Sequence, residues 1–492
     1  MRFHRRGAAS LIFLLVTSAA SATTWYLPGA AEAPGANGAI FSSTLFLTNT
    51  TAAVLPITVN FIPVDGKTAP PVVGINIPAG KIVKTEHVLR ALFGLTEDIG
   101  TITVTSATPL ILSMVTANIA NPNGSFGLGI DPVSDKELIA VNGIGHALWA
   151  THSIDFSKSY RTNVGAVLVD PNSEVKITVF DDQGVMRGST TVSSRLPSSF
   201  QTSLSTIIGN TDLAVGRVEF RTQQGRTTGY TSVVDNITSD AIAVQTREVV
   251  SGETDILLNG AARTPGVNNS HWQTDIQLFN PSTFPFQVSI YALGFNVAGK
   301  SITRVLAPRE TLAIPDVLGP DGLNFGEGAA GALRITSQAP FLVAGRTSNS
   351  DPTGVKPGTF SGYQKAGPFS PLMFTLGSTA VLSGLEQSAQ FRTNVGFLSG
   401  SGGATLDLTL RDSLGAVALT KTIVLEGGVW RQNALPDLFG KAAPTLSRLE
   451  IQVVSGSIDT YASKIDNGTG DPVLIPAVPL PVVPAPTSER TQ

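Results

Sequence analysis

The segment Gly294-Phe295-Asn296-Val297-Ala298-Gly299-Lys300-Ser301 matches the phosphate-cradling pattern G-x-x-x-x-G-K-[ST] letter for letter. That chemistry requires the loop to lie between a buried strand and a helix, so that backbone N–H groups and the helix N-terminus meet the phosphate. Here Ile302-Thr303-Arg304-Val305-Leu306 follows and alternates like a strand, which predicts a hairpin and no nucleotide.

Two loops offer hard oxygen ligands. Asp235, Asn236 and Asp240 form one, and Asp466, Asn467 and Asp471 the other. Calcium takes six to eight oxygens, so either loop is a weak candidate for it. The competing reading is a turn, because Asp and Asn side chains tie back to their own backbone. On that reading Arg161 and Arg392 pair with the carboxylates, and no cofactor is needed.

The histidines outside the N-terminal segment are His87, His146, His152 and His271, and none is spaced as a zinc pair on a helix. No Gly-x-Ser-x-Gly elbow occurs, and with 0 Cys there is no thiolate chemistry. Nothing points to an enzyme. Trp149 stands in the polar stretch of residues 145–159 and has no counterpart in the other copies of the repeat. An exposed ring there is a weak candidate for stacking on a sugar.

The elements that position these residues come from a repeat. In 492 residues the chain has 14% charged residues and a net charge of −3, which excludes a concentrated basic face for nucleic acid. Hydrophobic residues at 42% argue for packed cores throughout. Residues 1–22 read as a secretory signal peptide: Arg2, Arg5 and Arg6, then an apolar run, then Ala20-Ser21-Ala22. The expected location is secreted, extracellular or on the cell surface, with the periplasm the other compartment open to it. No later apolar stretch reaches the ~20 residues of a membrane-spanning helix.

Tyr160-Arg161-Thr162-Asn163-Val164-Gly165 returns as Phe391-Arg392-Thr393-Asn394-Val395-Gly396. Weaker counterparts begin at Phe41 and Trp272. A short apolar turn ends in Gly94, Gly209, Gly319 and Gly440, at spacings of 115, 110 and 121 residues, which is the period of a domain. The modules are placed at residues 24–138, 139–254, 255–372 and 373–477. Within each, alternation as in Val175-Lys176-Ile177-Thr178-Val179-Phe180 has a period of two, so about seven strands per copy are expected in a β-sandwich. One helical turn is expected near Val88, Ser203, Ile314 and Leu435. Residues 478–492 form a Pro-rich and polar tail, and the run from Pro472 onward is expected to be extended polyproline.

The phrase from Tyr461 to Asp471, with Ile475-Pro476-Ala477, resembles repeats of exported bacterial proteins built from tandem immunoglobulin-like β-sandwiches. The resemblance implies an all-β chain of four such modules of about 100–120 residues each, and it carries no catalytic residues. The function expected is a non-catalytic structural or adhesive array, a stalk or spacer laid end to end. The alternative is a ligand-binding protein, most plausibly for a glycan through the second module. The partner is a protein or glycan at the cell surface.

Overall fold

A computed structural model of the chain describes residues 22–481, apart from 65, 158, 268–269, 295–298, 351–359 and 370–371. The segment read as a signal peptide (save Ala22), the interior of the phosphate-loop look-alike and the last residues of the tail lie outside the described residues. Strands take up 62% of the chain and helices 5%, so the protein is all-β, and its antiparallel sheets form several sandwiches.

The second module shows the plan most simply. A five-stranded layer runs in the order Met186–Ser194, Ser173–Asp181, Leu213–Gln224, Ile144–His152, Arg247–Glu248. A four-stranded layer runs Ser198–Ser203, Tyr160–Leu168, Thr227–Asp235, Ala241–Gln245. Modules 1 and 3 repeat this order, but their first strands, Thr23–Pro34 and Asp255–Pro265, bend over and pair with both layers. In module 4 the long strands Phe391–Asp412 and Leu446–Asp466 run through both layers. Nine strand segments recur where about seven were expected. The surplus includes very short edge pairings such as Val133–Ser134 and Val478–Pro479, too brief to show a period.

Alternation along the strands fills each sandwich. Val175, Ile177 and Val179 are fully buried, while Lys176 between them is exposed. The turn between the layers is helical at Val88–Phe93, Leu204–Ile208 and Leu435–Phe439. In module 3 it is a string of turns. Pro315 and Pro320 flank it there, and a residue preceding proline is pushed away from the helical region.

The proline-rich run is not a free polyproline segment in its first half. Pro472–Pro476 is a strand of module 4, paired with Leu446–Asp466, and the short strand Val478–Pro479 pairs with Thr379–Glu386. Both lie at layer edges, where a missing N–H costs no ladder bond on the open side.

The modules do not lie end to end. Each four-stranded layer finishes in a closing strand: Phe126–Ile130, Ala241–Gln245, Phe360–Lys365 and Pro472–Pro476. The first packs on the second, the second on the third, the third on the fourth, and the fourth back on the first. The four sandwiches therefore form a closed ring. The core of module 1 runs on into Val234, Ala241 and Ala243 of module 2. That of module 2 runs into Phe279, Leu342 and Ala344 of module 3. Burial of apolar surface thus continues across these junctions, and it is this term that disfavours a line of separate beads.

Candidate functional site at the module junctions

The two Asp-Asn loops are turns, and they also close the ring. Asp235 Oδ1 accepts the N–H groups of Ile237 and Thr238 at 2.8 and 3.0 Å. Asp466 Oδ1 likewise accepts those of Gly468 and Thr469 at 2.8 and 3.2 Å. The remaining oxygen of Asp466 reaches into module 1 and accepts from the N–H and hydroxyl of Ser125, both at 3.0 Å. Asp471 accepts the N–H of Gly127 at 2.6 Å. Its carboxyl also hydrogen-bonds that of Asp240, from the module across the ring. Burial, with the neighbouring Asp240 charge, holds Asp471 well above the usual carboxylate range.

Arg161 and Arg392 donate to Asn236 Oδ1 and Asn467 Oδ1, at 2.9 and 2.7 Å, and each guanidinium also feels the charge of the loop carboxylate, Asp235 or Asp466. Among the described residues no group of three or more His, Cys, Asp or Glu side chains is arranged to hold a metal ion.

Trp149 is buried, not exposed, and so presents no face to a sugar. It occupies a β-bulge with φ 65°. The same bulge position in the other modules is Gly29, Gly260 and Gly384, all with positive φ, so its counterpart is a glycine. Each bulge faces the next module round the ring. Gly29 lies against Tyr230, Gly260 against Tyr461, and Gly384 against Phe46. Trp149 donates its backbone N–H to Gln277 at 2.8 Å and lies 5.0 Å from the Arg346 guanidinium, itself paired with Asp275 at 2.7 Å. Sequence reading missed these glycines because nothing local separates a bulge glycine from a turn glycine.

The junction of modules 2 and 3 also buries Arg217, with its guanidinium 4.3 Å from the Phe180 ring and 4.1 Å from that of Phe279. Its Nε and Nη1 atoms have no hydrogen-bond partner, and burial lowers its pKa to about 10. Beside it, burial and the Arg217 charge hold His146 down to about 3, so the imidazole is neutral at physiological pH.

One grouping imitates a hydrolase. Ser42 Oγ lies 2.9 Å from His87 Nδ1, and Glu32 Oε1 lies 3.3 Å from the same nitrogen. A working triad places the hydroxyl and the carboxylate on opposite ring nitrogens. Here Ser42 donates directly to Glu32 at 2.8 Å, and Arg90 holds that carboxylate at 2.6 Å, so the three groups do not stand in the order of a triad. In the phosphate-loop look-alike, Ser301–Leu306 is a strand paired with Phe286–Leu293, and Lys300 lies over the Phe325 ring at 4.4 Å.

What the junctions leave open is a cavity of about 590 Å³ lined by residues of all four modules, including Leu128, Ile242, Tyr363 and Val473. Its size falls in the range of small-molecule sites. No helix of the described residues is long and apolar enough to cross a membrane. No protein family and no curated protein matches the chain.

Proposed function

We propose that this protein is a non-catalytic exported interaction protein that works as one closed four-module ring, not as a stalk. The observation that carries the reading is the bonding of Asp466 and Asp471 to Ser125 and Gly127, which ties the last module to the first. Arg217 and His146 are buried between modules 2 and 3, and Arg346 is paired with Asp275 there. The signal-like N-terminus and the resemblance to tandem immunoglobulin-like modules support a place outside the cytoplasm. The ring would present its outer sheets to a protein or glycan at the cell surface.

A second reading, ligand binding, is favoured by the central cavity and moves the site away from Trp149. Labelled protein applied to cell envelopes and to a glycan array separates the two. Retention on envelopes with no glycan hit supports the first reading, and a competing glycan supports the second. Absence of retention on both surfaces would contradict a surface role.

A further inference from the structure

The repeat supplies its own control for the central cavity. At the junction of modules 3 and 4 the polar side chains that line it include Asn259, Gln364 and Asp459. The strand registers place Gln364 where the other modules carry Ile130, Val244 and Ile475. They place Asp459 where the others carry Ile111, Thr228 and Leu342. Asn259, just before the bulge, stands where the others carry Pro28, Leu148 and Ser383. Across the ring, the junction of modules 1 and 2 has the same architecture with Pro28, Ile130 and Thr228. Packing alone is therefore satisfied there without amides or a charge, and the polar set at the 3–4 junction needs another reason.

All three groups present acceptors. Gln364 is only 7% exposed, and its Oε1 has no donor. The Asn259 side chain hydrogen-bonds the Asp459 carboxyl, which leaves its Oδ1 buried without a donor. Asp459 takes the N–H of Thr460 at 2.7 Å and a hydrogen bond from the Asn259 side chain. A buried acceptor left without a donor costs about 1–3 kcal/mol, so a ligand that brings N–H groups recovers it. The nearby cation, Arg247, is already taken up by the Glu253 carboxylate and the Ala366 carbonyl. Leu257, Val381 and Ile475 supply apolar walls.

We propose that this end of the cavity binds a protonated primary amine on an apolar body, with Asp459 as counter-charge and Asn259 and Gln364 accepting its N–H bonds. The proposal rests on the ligand-binding reading. An ammonium carries three donors and one positive charge, which matches three acceptors of which one is an acid. Burial that lifts Asp459 to about 6 in the empty protein is the cost that a bound cation would offset.

The test uses two probes on the full mature chain: dansylcadaverine, a primary amine, and the dansyl pentylamide that lacks the amine. Wild type should bind the amine at least about tenfold tighter, the usual scale of a hydrogen-bonded charge. The double variant Gln364→Ile, Asp459→Thr, which copies the 1–2 junction, should lose that preference while keeping its circular dichroism. Equal affinity of wild type for both probes would leave a ligand cavity but overturn the amine assignment. Binding of neither probe would overturn the cavity as a ligand site altogether, and an amine preference that survives the double variant would overturn the roles given to these residues.

Discussion

The phenol of Tyr461 lies against the backbone of Gly260 one module earlier, with its Oη 2.8 Å from where a Cβ on that glycine would sit. The hydroxyl is held in place by Gln432 Oε1 at 2.7 Å. Tyr230 repeats the arrangement against Gly29, with its hydroxyl on Gln201 at 2.6 Å. The ring is built from such close approaches of one module's side chain to the next module's bulge.

Gly260→Ala should therefore be costly twice over. Its φ of 116° strains any L-residue, and the methyl group would meet a buried, hydrogen-bonded ring. A loss of roughly 2–4 kcal/mol is expected, from strain and overpacking together. Calorimetry checks it: a melting temperature within error of wild type would remove Gly260 from the account of the junction.

Stability should fall as pH rises from about 4 to 7 at two buried acids. For Asp459 the folded-state pKa is raised to about 6, and Asp471 is raised as well. The folded state thus binds more protons than the unfolded one, so their stabilising contribution is full below the unfolded pKa and is lost as pH passes through the folded value. Asp459→Asn should flatten the curve and leave the variant about 2 kcal/mol better at pH 7 relative to pH 4 than wild type. Urea titrations at both values measure this, and parallel pH curves for the two proteins would contradict it.

Arg217→Met should be neutral or stabilising by about 1 kcal/mol. Removing a guanidinium with unsatisfied N–H groups from an apolar site outweighs the stacking lost on Phe180 and Phe279. A clear drop in the urea midpoint would mean that an undescribed partner satisfies Arg217.

Lys300→Ala should change stability by less than about 1 kcal/mol, the scale of an exposed cation over a ring. Titration calorimetry with ATP should register no heat of binding in wild type. Affinity that Lys300→Ala abolishes would return the loop to phosphate chemistry.

The repeat and the strands were legible because period two and a recurring Tyr-Arg-Thr-Asn-Val-Gly phrase are properties of local sequence. Ring closure was not. It depends on Gly29, Gly260 and Gly384, whose place in a bulge no local pattern marks, and on backbone N–H donors at Ser125 and Gly127, which carry no side-chain signature. Asp466 was half legible: one oxygen closes its own turn as expected, while the other crosses to module 1. Trp149 misled because its counterparts are glycines, which hide its place in the repeat. Its burial comes from the next module, which no local pattern contains. Asp459, Gln364 and Asn259 were passed over because each is an ordinary residue until the register shows what the other copies carry there.

Small-angle scattering on the monomer tests the closed ring most directly. A compact chain of this length has a radius of gyration near 23 Å, and the ring should lie within a few ångström of that. Four sandwiches of roughly 35–40 Å laid end to end would give about 45 Å. A value near the compact limit is the result expected from closure of module 4 on module 1; one near 45 Å would mean that the modules hang in a line and that the ring, with its central cavity, does not form in solution.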